Sequence, residues 1–133
     1  MTNTALNPVT LPASPFYSHG IQVRDAERLV FVSGQVGMTA DGEILDGVGE
    51  QAAQAVANLN AVLGEAGLTA ADITKLTIYL TDPADVEPFM YAAGGSLPQP
   101  PPATTMLIVS GLADPALRVE IEAIAAGFHP PHT

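Results

Sequence analysis

Four consecutive apolar residues, Met106-Leu107-Ile108-Val109, leave a strand without a polar side. Side chains along a strand point alternately to the two faces of its sheet. A strand that is apolar on both faces has to be covered on both. What can cover it depends on the other elements this chain can form.

Near the C-terminus, Arg118-Val119-Glu120-Ile121-Glu122-Ala123-Ile124-Ala125 alternates polar and apolar with period two and carries several β-branched residues, the pattern of a strand. Val119, Ile121 and Ala123 share one face; Arg118, Glu120 and Glu122 share the other. Thr74 to Thr81 alternates in the same way, with Leu76, Ile78 and Leu80 on one side and Lys75, Thr77, Tyr79 and Thr81 on the other. Tyr17 to Val23 and Arg28 to Gln35 are further strand-like runs, and Arg24-Asp25-Ala26-Glu27 between them suits a hairpin turn. Asp41-Gly42 marks another turn.

From Gly49 to Ala66 the period changes. Ala52, Ala55, Val56, Leu59, Leu63 and Ala66 form a helical stripe, and Gly67 stands where a helix C-terminus favours glycine. Thr69-Ala70-Ala71-Asp72 resembles a capping box that starts a single turn. A second helix runs from Asp85 to Ala93, with Pro88 in its first turn and Gly94-Gly95 ending it. Pro98-Gln99-Pro100-Pro101-Pro102 reads as a stiff extended connector. Thr104 to Val109 and Leu117 to Ala126 are the last strands.

The predicted order is β-β-α-β-α-β-β, with hairpins at both ends. This is an α+β fold with a mixed sheet and two helices on one face. Two helices cover one face only, so the other is expected to meet another subunit. Residues 1–15 read as an extended lead-in, 16–127 as a single domain and 128–133 as a tail.

Composition agrees with an interface. Charged residues make up 14% of the chain, against roughly 25% in an average domain. Four Lys or Arg stand against fourteen Asp or Glu, a net charge of −10. That balance argues against nucleic acid and against anionic membrane surfaces as partners. With no cysteine, disulfides, thiolate zinc sites and cysteine nucleophiles are excluded. His19, His129 and His132 form no metal-binding spacing, so no metal is expected. The N-terminus lacks a secretory pattern, and no apolar run approaches the roughly 20 residues of a membrane span. A cytoplasmic protein is expected.

Four segments then combine: Phe16-Tyr17-Ser18-His19-Gly20, Val32-Ser33-Gly34-Gln35-Val36, Pro101-Pro102-Ala103-Thr104-Thr105 and Val119 to Ala125. In order and spacing they resemble the Rid family, also called YjgF or RidA and often labelled endoribonuclease L-PSP. The resemblance covers about residues 16–127. It implies a chorismate-mutase-like homotrimer whose clefts lie between subunits and take a small-molecule metabolite. It also implies hydrolysis of reactive 2-imino acids to 2-keto acids and ammonia, with no cofactor and no metal. On the family pattern Glu120 positions or activates water, Tyr17 lines the cleft, and Ser33 and Gly34 form its wall.

The chain departs from the pattern at one point. Archetypal members have Pro-Ala-Arg before the penultimate strand, and that arginine grips the substrate carboxylate; here the segment is Pro102-Ala103-Thr104. Losing a bidentate arginine–carboxylate pair costs about two orders of magnitude in affinity. The resemblance therefore implies a substrate other than 2-imino acids, with Ala103, Thr104 and Thr105 left to offer polar contacts. Arg118, or an arginine of a neighbouring subunit, could replace the missing one. His19, two positions from Tyr17, shares its face and could serve acid–base work. Each residue has a plainer alternative: Glu120 as an ion-pair partner of Arg118, Tyr17 as interface core, Ser33-Gly34 as a β-bulge, and Thr104-Thr105 as ordinary strand residues. A trimer that binds a metabolite without chemistry is the rival reading. Ribonuclease activity finds no histidine pair or basic patch to support it.

Overall fold

In the computed structural model, which describes residues 3–94 and 100–128, the main sheet is not assembled in chain order. Strands β1 (Thr4–Leu6) and β2 (Gly20–Gln22) form a small antiparallel pair. Strands β3 (Arg28–Val36), β4 (Ile73–Leu80), β5 (Ala103–Ile108) and β6 (Val119–Gly127) form a four-stranded sheet in the order β3-β6-β4-β5. Helix α1 (Val48–Glu65) links β3 to β4, and helix α2 (Val86–Ala93) links β4 to β5.

The predicted element order holds, with β1 added inside the expected lead-in. Neither terminal hairpin forms. β2 pairs with β1 rather than with β3, and the Arg24–Glu27 step carries the chain from one sheet to the other, with Asp25 at φ +56°. β5 lies parallel to β4 because α2 carries the chain back to the starting end, which only a crossover allows. β6 therefore passes β5 and inserts between β3 and β4, antiparallel to both. The central slot suits it: Val119, Ile121, Ala123 and Ala125 are all buried.

Both helices cover one face of this sheet. Val48, Ala52, Ala55, Leu59 and Leu63 of α1 and Phe89 and Ala93 of α2 share one core with Val32, Leu76, Ile78, Leu80 and Ile121. The end of α1 is closed as its sequence suggests. Gly67 takes φ +73°, and the amides of Gly67 and Leu68 bond to the carbonyls of Gly64 and Leu63. The capping box at Thr69 and Asp72 is present in both directions and starts the turn Ala70–Asp72. Pro98-Gln99 of the expected connector, Gly95 and the tail histidines lie outside the described residues.

Among the described residues, no helix covers the opposite sheet face. Leu29 is 57% exposed there and Phe31, paired in register with Ile124, is 71% exposed. On edge strand β5, Met106 packs against the core while Leu107 is exposed. The doubly apolar strand is thus covered by this chain on one side only.

Candidate functional site

The open sheet face bears the acids. Glu120 is half-buried and stands opposite Tyr79 on β4 and Val36 on β3. Beside it the β3–β6 register slips between Val32 and Gln35, which is the β-bulge expected at Ser33-Gly34. The bulge and the glycine together make room for the carboxylate. A β-carbon at position 34 would lie 2.6 Å from Cδ of Glu120 and 2.9 Å from its Cγ. Only glycine lets the acid seat this closely on the neighbouring backbone.

Next along the strand, Glu122 accepts a 2.8 Å hydrogen bond from the Tyr79 hydroxyl. That bond, partial desolvation and the nearby charges of Glu122 and Glu120 hold the Tyr79 phenol above its ordinary value. Sequence reading passed over Tyr79, although alternation placed it on this face. Thr105 accepts a 2.7 Å bond from Lys75 Nζ.

Arg118 does not join this group. Its Nε and Nη2 form a bidentate pair with Asp85 at 3.0 and 2.6 Å. The expected sharing of a face with Glu120 and Glu122 fails because Arg118 precedes the first residue of β6. There its backbone N–H donates to Gln51 Oε1, and its side chain turns to the start of α2, where Asp85 is buried. The guanidinium is spent on a structural bond, which removes the Glu120–Arg118 ion pair as the explanation for Glu120.

The other half of the predicted site lies beyond the sheet. A cavity of about 270 Å³ opens between α1, α2, β4, β5 and the segment before β2. Tyr17 and Thr104 line it, with Phe89, Met90 and Met106. Thr104 pairs in register with buried Leu76, and its hydroxyl donates to Pro102 O at 3.0 Å. The Tyr17 segment is fastened to the start of β5 through Ser18, whose Oγ donates to Pro101 O (2.6 Å) and whose N–H donates to Pro102 O (3.1 Å). Ser18 also bridges Ala103, which leaves Ala103 a backbone role at the rim. His19 meets Tyr17 edge to face, with ring centroids 5.2 Å apart. Its Nε2 donates to Pro12 O at 2.7 Å, so the ring orders the N-terminal segment rather than lining the cavity.

Apart from His19 and Ala103, the predicted residues thus fall into two groups on opposite faces of one sheet. Tyr17 and Thr104 belong to the cavity; Ser33, Gly34, Thr105 and Glu120 belong to the open face. Ile121, which follows Glu120, lines the cavity and shows how thin the separation is. Phe89, Met90 and Met106 were missed as lining residues. Apolar side chains at helix and strand positions read as core until a space between them is seen.

The fold is a two-layer α+β domain with a cavity under the helices and a glycine-seated carboxylate on the bare sheet face. The endoribonuclease L-PSP family model matches residues 9–127. The chain belongs to this family, the Rid family. It is 37% identical over 115 residues to the 2-iminobutanoate/2-iminopropanoate deaminase of Mus musculus, covering 82% of this chain and 79% of that one. The crystal structure of the Rid-family protein YyfB from Yersinia pestis superposes with a TM-score of 0.83 at 34% identity, over 95% of this chain and 99% of that one. E. coli TdcF with bound serine superposes with a TM-score of 0.69 at 29% identity, over 86% of this chain and 90% of that one.

Proposed function

We propose that this protein hydrolyses a reactive imine or enamine, and that its working cleft forms between copies of the chain. In a homotrimer built on the bare sheet faces, the open face of one copy adjoins the cavity rim of the next. Glu120, Ser33 and Gly34 of one copy then complete the site begun by Tyr17 and Thr104 of another. The exposed Leu29 and Phe31, beside half-buried Ile124, support such burial, since monomers seldom leave so much apolar surface bare.

Glu120 carries the chemistry in this reading. A half-buried carboxylate fixed against a glycine can take a proton from water as the water oxygen bonds to the imine carbon. The same proton then passes to nitrogen to give a carbinolamine; its hydroxyl proton next moves through Glu120 to the nitrogen as the C–N bond breaks, and a carbonyl compound and ammonia leave. An enamine first takes a proton on carbon to give the imine. No redox step is involved, so none of these steps calls on a cofactor. The supporting observation is the seat that Gly34 provides for Glu120, at a family position credited with handling water.

The test is ammonia release from imines generated in place by an amino-acid oxidase or a pyridoxal-phosphate lyase. Glu120→Gln should lower the rate at least about a hundredfold. Absence of release from any imine, in a preparation that binds ligand, overturns the enzyme reading. It would leave the rival, a trimer that binds a metabolite without transforming it. That rival draws on Thr104, whose hydroxyl is already bonded to Pro102 O.

A further inference from the structure

We infer that the cavity selects an uncharged, largely apolar ligand that lacks a carboxylate: a ring or branched skeleton bearing a neutral imine, enamine or carbonyl group. This rests on the reading of the cavity as the ligand half of the cleft, and it names the substrate class for that site.

Charge is the first argument. Among the described residues, none that lines the cavity is ionised at neutral pH, and the polar side chains there are those of Tyr17, Asn60 and Thr104. A carboxylate placed there would give up its hydration without a cation in return, which is strongly unfavourable. The whole chain has four Lys or Arg. Arg118 is bound to Asp85, Lys75 donates to Thr105 on the opposite face, and Arg28 donates to Ala66 O at the end of α1. Arg24 sits in the exposed connection after β2. A neighbouring copy brings the same four, and the one on its open face, Lys75, is held by Thr105. The net charge of −10 adds a field that repels anions from every approach.

Size and lining are the second argument. A cavity of about 150 Å³ holds benzene; this one measures about 270 Å³, room for a ring with a short chain. Phe89 supplies an aromatic face and Met90 and Met106 supply flexible thioethers, a lining that adapts to apolar shapes. Thr104 and the Tyr17 hydroxyl can orient one neutral polar group.

The experiment compares two ligands that differ by the carboxylate, phenylacetone and phenylpyruvate, using protein labelled at the methionine methyls. Met90 and Met106 line the cavity and Met38 does not, so Met38 is an internal reference. Phenylacetone should shift Met90 and Met106, leave Met38 in place, and bind at least tenfold more tightly than phenylpyruvate. Thr104→Arg should reverse that preference; if the variant does not fold, the wild-type comparison stands alone. Equal or tighter binding of phenylpyruvate overturns the inference, and so does the absence of a shift with either compound up to its solubility limit. Turnover is scored separately. A cavity that prefers phenylacetone but releases no ammonia from its imine sinks the hydrolase reading and keeps the ligand class. Ammonia release from 2-imino acids at equal efficiency does the reverse.

Discussion

Glu120 lies so close to Gly34 that a single added carbon at position 34 would overlap its carboxyl group. The atoms in the way belong to the far half of a flexible side chain, not to the backbone. Gly34→Ala should therefore cost only about 1 kcal/mol, the scale of a forced rotamer change. The carboxylate, however, would leave its seat. Thermal unfolding should move by a few degrees while imine hydrolysis falls nearly as far as in Glu120→Gln. A variant that keeps full activity would show that the seat does not matter.

Arg118 and Asp85 form a bidentate pair of which Asp85 is the buried member. Breaking a fully buried pair from one side costs about 3–5 kcal/mol. Arg118 is 44% exposed, so screening brings the expected cost of Arg118→Ala in urea denaturation below that scale, to about 2 kcal/mol. Arg118→Lys should recover little, because an ammonium cannot match the two-pronged geometry. A loss of ligand affinity without a loss of stability would return Arg118 to the cleft.

Tyr79 provides a pH handle. Its phenol is held above the ordinary value of 10.0, first by the bond to Glu122. A group whose pKa is raised by folding favours the folded state below the unfolded pKa, and that contribution fades as pH rises through the folded pKa. Stability should therefore decline above about pH 10, and Tyr79→Phe should remove that part of the decline. Tyrosinate absorbance should contain one late-titrating phenol that the variant lacks.

Phe31 tests the assembly. Placed in the apolar patch of the open face, Phe31→Glu should reduce the sedimenting species to a monomer and abolish hydrolysis together. A monomeric wild-type protein, or a monomeric variant with full activity, overturns the intersubunit cleft.

Much of this was legible in local chemistry. The α1 stripe, the glycine at its end, the box at Thr69 and Asp72, and the alternation along β4 and β6 each depend on neighbours a few positions away, and each is present. Partner choice between strands was not legible. Whether β6 closes a hairpin on β5 or enters between β3 and β4 is decided by burial summed over the whole sheet. The two groups of site residues show the same limit. Alternation tells which residues share a face within one strand, and the family pattern names Glu120 and Thr104 together. Only the relative register of β4, β5 and β6 reveals that they look in opposite directions. Arg118 was misjudged because a residue one place before a strand is free of its alternation.

The placement of β6 governs how the molecule is made. While the ribosome is still holding the last residues, β3 and β4 have been synthesised but each presents a bare edge toward an empty lane. Closing that lane joins segments from distant parts of the chain, a slow step compared with coiling α1. A nascent chain halted before Val119 would thus expose two sticky margins at once, and loss of the final strand should yield aggregates rather than a smaller folded protein.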